Sequence, residues 1–250
     1  MSNFEERQKV AGVLGGMGPA ATVDFMNKVI ASTPARRDQD HIRMLVEHNP
    51  KVPSRQNVSA ADDALIRSQL AAMALRLETA GADFLVMVCN TAHGWLDEAY
   101  GAVSIPFFSI VDVTVEALRE QHPAVRSAAI MATPACTRGG LYQAALADAG
   151  IRPVVPDDET LASLMTLIDR VKAGDQGTAV SEAMAAVAAS LVADGADAVI
   201  AGCTEIPLVL HPDQLPVPLI SSTDELARRT VALALGRAPL QSGGSVSLED

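Results

Sequence analysis

Residues 81–93 read GADFLVMVCNTAH, and residues 195–207 repeat the pattern as GADAVIAGCTEIP. In both copies Gly-Ala-Asp precedes an apolar run, and a cysteine lies eight residues after the glycine (81 to 89, 195 to 203). An unbroken apolar run, as opposed to an alternating one, is the mark of a strand covered on both faces, as in a parallel sheet. The first run breaks at Cys89 into Asn90, Thr91 and His93, and the second at Cys203 into Thr204 and Glu205. Two thiols on matched strand ends suggest one site with a cysteine on each side. A simpler alternative stays open here: two small buried hydrophobes on repeated strands.

The repetition extends beyond these stretches. VSIPFFSIVD at 103–112 matches PVPLISSTD at 216–224, with Pro106 against Pro218 and Asp112 against Asp224. Upstream, the apolar strand and turn at 10–18 match 127–138. Two copies of a strand–helix unit, joined by right-handed crossovers, predict an α/β fold. Its form is two pseudo-symmetric Rossmann-like lobes with parallel sheets, and ligands bind at the strand carboxyl ends in the cleft between them. The 250 residues suit one large domain or two lobes, and an apolar fraction of 49% is carried by aliphatic side chains, with aromatics at 3%. The expected division is 1–116 with 221–241 as lobe one, the chain crossing back, and 117–220 as lobe two. The Gly/Ser-rich acidic segment 242–250 is expected to be a disordered tail.

Strands are expected over 9–15, 41–47, 84–88, 105–110, 127–132, 152–155 and 219–220, besides the run ending at Cys203. Helices are expected over 20–32, 59–79, 94–102, 111–120, 141–149, 161–173, 180–193 and 225–235. The turn Gly15-Gly16-Met17-Gly18-Pro19 departs from the dinucleotide spacing G-x-G-x-x-G and from a P-loop. A turn that brings backbone close to a small carboxylate fits it better than a phosphate cradle. Arg55 follows a loop kept extended by Pro50 and Pro53. It reads equally as a bidentate carboxylate clamp or as a solvated surface arginine.

A net charge of −11 argues against nucleic acid or an anionic membrane as a partner, without excluding a small anion in a locally cationic pocket. The three cysteines, Cys89, Cys136 and Cys203, form no C-x-x-C or Cys/His cluster, which favours reduced thiols over disulfides or a structural metal. The polar N-terminus has no signal-peptide pattern, and no apolar run approaches the roughly 20 residues that cross a bilayer. The expectation is a cytoplasmic protein.

Two roles compete for the cysteines. One could be a nucleophile with His93, four residues past Cys89, as its base. Nothing equivalent to His93 follows Cys203, so that reading leaves the repeat unused. Alternatively, one thiolate removes a proton from carbon while the opposite thiol supplies one to the other face, which inverts a stereocentre and needs two matched groups.

Over residues 9–236 the chain resembles the aspartate/glutamate racemase superfamily, most closely its cofactor-independent aspartate racemase branch. The resemblance rests on GGMGP (15–19), NP-x-x-P-x-R (49–55), CNTAH (89–93), GLY (140–142), VKAG (171–174) and GCTEIP (202–207). It implies pyridoxal-independent racemisation of aspartate, with glutamate a further candidate, by a homodimer with no cofactor and no metal. Carried over by position, Cys89 and Cys203 exchange the proton. Asn90, Thr91 and Thr204 hold the α-carboxylate or amino group, and Arg55 and Lys172 grip carboxylates. Met17 lines the pocket, and Asn49, Cys136 and Thr137 complete the expected substrate-binding set. Read from the residues alone, Glu205 beside Thr204 tunes Cys203, contacts the ammonium, or is simply a carboxylate at a helix N-terminus. The chain departs from the pattern at Val88, where proline is common, and at PSRQ (53–56), where PDRT is usual. Cys136 stands where threonine is general. Other readings are a racemase of the same superfamily with broad or different specificity, and a non-catalytic amino-acid-binding protein.

Overall fold

The computed structural model describes residues 8–240; the segment 242–250 lies outside the described residues. Strands β1 (Ala11–Gly15), β2 (Met44–His48), β3 (Phe84–Met87) and β4 (Phe107–Phe108) form a parallel sheet in the order β2-β1-β3-β4. Strands β5 (Ser127–Met131), β6 (Arg152–Val154), β7 (Ala198–Ala201) and β8 (Leu219–Ser221) form a second, in the order β6-β5-β7-β8. The two orders are the same pattern written twice. The central strands β1, β3, β5 and β7 are buried at every residue, as their unbroken apolar sequences require.

The repeated Gly-Ala-Asp has a structural cause. Gly81 (φ +95°) ends helix α2 (Ala60–Thr79), and Gly195 (φ +90°) ends helix α8 (Thr178–Ala193), each in the left-handed conformation that stops a helix. The alanine amides then close the same loop, Ala82 to the carbonyl of Leu77 and Ala196 to that of Leu191. Asp83 accepts from the Val10 amide at 2.7 Å, and Asp197 from the amides of Arg126 and Ser127 at 3.0 Å. The motif thus stops a helix, turns the chain, and clamps the coming strand to its central neighbour. The second repeated segment is also a cap. Ser109 accepts from Asp112 N at the start of α4 (Ile110–Gln121), and Ser221 from Asp224 N at the start of α9 (Ser222–Ala234).

The layers follow from which faces are apolar. α2 and α3 (Leu96–Gly101) cover the outer face of the first sheet, where Leu14, Leu85, Met87 and Phe107 pack with Ile66, Leu70 and Met73. α7 (Asp158–Lys172) and α8 cover the outer face of the second. Between the sheets lies one continuous core, with Val13 and Val86 from the first, Ile130 and Ile200 from the second, and helices sandwiched between. There α1 (Pro19–Ser32) packs on α9, α9 on α4, and α4 on α6 (Leu141–Asp148). The closing helix of each copy therefore docks on the opening helix of the other. Among the described residues no helix is long and apolar enough to cross a membrane.

Several boundaries differ from the sequence expectation. The segment 105–110 pairs only at Phe107–Phe108, because Ser109 already caps α4. Likewise α7 begins at Asp158, since Asp157 caps it by accepting from Thr160 N at 2.8 Å, and α9 begins at Ser222. The expected turn 133–140 contains the short helix α5 (Pro134–Arg138), and 94–102 divides into a 3-10 turn, Thr91–Trp95, followed by α3.

If the two glycines are equivalent devices, replacing them should cost the same. A Cβ on Gly81 would meet nothing within 4 Å, and one on Gly195 would make only ordinary contact with Arg152 at 3.5 Å, so the penalty is conformational. Gly81→Ala and Gly195→Ala should each lower unfolding free energy by about 1–2 kcal/mol, read by urea denaturation with unchanged m.

Candidate active site

Both cysteines sit just past the end of a central strand. Val88 donates its amide to Leu14 O and Gly202 donates to Met131 O, so Cys89 and Cys203 emerge at corresponding points of the two sheets. Where the first copy has Val88, the second needs glycine: a Cβ at 202 would lie 2.8 Å from the Tyr142 ring. Both thiols are nearly buried, and both line a single cavity of about 350 Å³ including its mouth. Met17, Arg55, Asn90, Thr91, Lys172, Thr204 and Glu205 share that lining, as do Ser54, Gln56 and Thr133. Of the residues expected from sequence, Asn49, Cys136 and Thr137 are not part of it. The Asn49 amide turns towards Gln69 and Met73. Cys136 belongs to the core between the sheets, where burial and then the neighbouring Cys89 sulfur push its thiol up to about 12. Thr137 is buried with its hydroxyl unpartnered.

The polar side chains around Cys89 are fixed from the other half of the molecule. Tyr142, fully buried on α6, donates to Asn90 Oδ1 at 2.6 Å. Asn90 Nδ2 donates to Ser222 Oγ at 3.1 Å, and Ser222 donates to Ala201 O at 2.9 Å. That chain settles which end of the amide is which and leaves one N–H of Asn90 uncommitted. Thr133 Oγ1 accepts from Gln56 Nε2 at 3.0 Å and from Cys136 N at 3.3 Å, and lies 2.9 Å from Thr91 Oγ1. A hydroxyl has one hydrogen and two acceptor positions, so Thr133 donates to Thr91. The Thr91 hydrogen is then free for a ligand. Gln56 also accepts from Ala135 N at 3.1 Å, so its loop is fastened to the second half.

Cations stand at the cavity although the chain as a whole is acidic. Arg55 spends Nη1 on the carbonyls of Val52 and Pro53, at 3.1 and 2.6 Å, which fixes its guanidinium at the wall. Lys172, on the last turn of α7, lines the cavity, and among the described residues its one ion pair is a 3.9 Å contact to Asp169. Around Cys203 the sign differs. Its thiol donates to Glu205 Oε2 at 3.0 Å, and Thr204 Oγ1 donates to the same oxygen at 3.2 Å. Burial and then the Glu205 carboxylate raise the Cys203 thiol well above its ordinary value, against a smaller opposing pull from Lys172.

His93 is not placed to act as a base. Its Nε2 accepts from the Ile110 amide at 3.1 Å, so Nδ1 carries the hydrogen and donates to Cys89 O at 2.8 Å. Both ring nitrogens staple the Cys89 turn to the start of α4. Among the described residues no group of three or more His, Cys, Asp or Glu could hold a metal ion. Nothing in the sequence marks Gln56 or Thr133 beyond the departure at 53–56, because their roles arise from a contact across the cleft.

Two parallel-sheet lobes with a thiol-lined pocket at their strand ends make this an α/β protein with the frame of an enzyme cleft. Residues 14–230 match the Asp/Glu/hydantoin racemase family, and the chain belongs to it; it is an isomerase of the amino-acid racemase class. It is 29% identical to the broad specificity amino-acid racemase RacX of Bacillus subtilis (strain 168), over 90% of this chain and 97% of that protein. Among solved structures it resembles the aspartate racemase of Picrophilus torridus, with TM-score 0.77, 29% identity, and coverage of 91% and 94% of the two chains. An aspartate racemase homologue from Pyrococcus horikoshii OT3 gives TM-score 0.75 at 25% identity, covering 91% and 99%.

The His93 staple has a pH signature. Burial, only partly offset by hydrogen bonds to the Cys89 and Asn90 backbone, lowers its pKa to about 4 from 6.5. The folded state binds the proton less readily than the unfolded chain. The stabilisation is therefore complete above about 6.5 and is lost as pH falls towards 4, by up to about 3 kcal/mol. Denaturant titrations at pH 7.5, 6 and 4.5 should show this slope, and His93→Gln should flatten it.

Proposed function

We propose that this racemase interconverts the L and D forms of an acidic amino acid, aspartate foremost, by proton transfer between Cys89 and Cys203 without pyridoxal. The observation that carries the reading is the shared cavity: two thiols from equivalent strand ends line one pocket together with Arg55 and Lys172. In the step itself, the thiolate of one cysteine takes the α-hydrogen as a proton. The electron pair left on carbon delocalises into the carboxylate, and the other cysteine gives its S–H proton to the opposite face. An α-proton is far less acidic than a thiol, so the cost lies in the carbanion. Fixed cations and the free hydrogens of Asn90 and Thr91 are suited to stabilise charge on the carboxylate in a site with little water. The two cations also favour a substrate with a second carboxylate, since Arg55 and Lys172 can then each meet one.

A second reading, broad amino-acid specificity, is favoured by two particular residues. Ser54 and Gln56 line the pocket where the resembled pattern has an acid and a threonine, and the relative RacX is described as broad in specificity. Both readings are tested together. Aspartate, glutamate and a set of neutral and basic amino acids are incubated in D2O without pyridoxal phosphate, with optical rotation and α-deuterium followed in parallel. Aspartate should exchange fastest, and absence of exchange with every amino acid would sink the proposal. Cys89→Ser and Cys203→Ser should each lower kcat by about 10²–10⁴-fold, the usual range for a lost general acid or base. Full activity in either variant would refute the two-cysteine mechanism. Arg55→Met should raise KM for aspartate more than for alanine.

A further inference from the structure

The two halves share a backbone plan but not the chemistry beside each sulfur. Aligning Cys89-Asn90-Thr91 with Cys203-Thr204-Glu205 sets Thr91 opposite Glu205. In the first copy that position offers a hydroxyl hydrogen. In the second it offers a carboxylate, 3% exposed, whose Oε2 receives both the Cys203 thiol and the Thr204 hydroxyl. The other oxygen occupies space that the glycine turn leaves open, for a Cβ on Gly18 would stand 2.8 Å from Glu205 Oε1.

We propose that Glu205 is a positioning residue that keeps Cys203 as the protonated thiol, so that the resting enzyme begins with Cys89 as base and Cys203 as acid. This rests on the two-cysteine reading above and adds to it which sulfur carries the proton before substrate arrives. The geometry supports an asymmetric start. A thiolate on Cys203 would place two anions 3.0 Å apart in a buried pocket, whereas the thiol makes a hydrogen bond to an acceptor already fixed there. The other charged or titratable groups near this sulfur are Lys172 from the end of α7, Cys89 and Arg55, which line the same cavity, and the buried Tyr142. Lys172 acts against Glu205 but reaches the site from its exposed mouth, while Glu205 touches the sulfur directly. The turnover balances: Cys89 gains the proton leaving Cα, Cys203 loses one to the opposite face, and exchange with water restores the starting state after release. The reverse direction starts from the less populated form, with Cys203 as the thiolate beside Glu205.

The test reads thiolates directly, with no substrate present, so it stays informative whatever the enzyme racemises. Iodoacetamide reacts with the thiolate, and mass spectrometry gives the carboxamidomethylation rate of each cysteine from pH 6 to 10. In the wild-type protein Cys89 should be labelled at lower pH than Cys203. Glu205→Gln should move the Cys203 profile down by about one pH unit, roughly a tenfold faster reaction at pH 8, and leave the Cys89 profile in place. Glu205→Asp, which keeps the charge, should keep the wild-type order, whereas a purely structural role would disturb both variants alike. Gly18→Ala, which displaces the carboxylate without removing it, should resemble Glu205→Gln and serves if that variant fails to fold. An unchanged Cys203 profile in both Glu205→Gln and Gly18→Ala, or Cys203 labelled before Cys89 in the wild type, overturns the proposal.

Discussion

Strands β1, β3, β5 and β7 are covered on both faces, and a strand covered on both faces can carry polar chemistry only where it ends. Everything reactive in this protein follows from that constraint. Leu85 and Met87 are committed to the outer core and Phe84 and Val86 to the inner one, so the first residue free to face a ligand is Cys89. The same holds for Ile200 and Ala201 ahead of Cys203. The sheets need not be large, because the ends of two central strands are enough, provided the lobes keep them facing one cavity.

That proviso is met by the middle layer. Because α9 packs between α1 and α4, and α4 reaches across to α6, neither half can rotate without breaking apolar contacts that belong to both. Polar links lie above this layer, at the cleft itself. Tyr142 to Asn90 to Ser222 and Gln56 to Thr133 to Thr91 each run from one half to the other through hydroxyl and amide groups. Buried groups of this kind are costly when unpaired and directional when paired, roughly 1–3 kcal/mol for a group left without a partner. The apolar layer sets how the lobes sit, and the polar chains set how Asn90 and Thr91 are oriented within that frame.

The repeat makes the overall plan legible in the sequence itself. Gly-Ala-Asp twice, with a cysteine at the same distance, encodes a helix stop, a strand clamp and a strand end, and each of these is a local event. Arg55, which the residues around it leave open between a clamp and a surface arginine, and Lys172, marked through the family resemblance, both line the cavity. What escaped the sequence are contacts made across the cleft. Gln56 and Thr133 are 77 residues apart, and nothing local marks them as partners of each other or Thr133 as the partner of Thr91. The role of His93 was hidden for a related reason. Histidine four residues past a thiol suggests a base, and only the Ile110 amide on its Nε2 shows that the ring is spent on backbone. The family resemblance places Cys136 and Thr137 in the substrate-binding set, whereas α5 begins at Pro134 and both residues are buried outside the cavity lining.

Near-symmetry suits an enzyme whose substrate and product are mirror images, yet the symmetry stops at the backbone. Val88 corresponds to Gly202, Asn90 to Thr204, and Thr91 to Glu205. Thermodynamics limits what such differences can do. Enantiomers have equal free energy in water, so a racemase must have the same kcat/KM in both directions, however unlike its two walls. Any preference created by Glu205 beside one sulfur, or by the free Thr91 hydrogen beside the other, must therefore appear as matched changes in kcat and KM. The enantiomer bound more weakly is then also the one turned over faster. Unequal walls set how tightly each hand is held, while the equilibrium between them stays fixed. Residues around the two cysteines could diverge in evolution without costing the enzyme its reversibility, provided a proton acceptor and a proton donor remained on opposite sides.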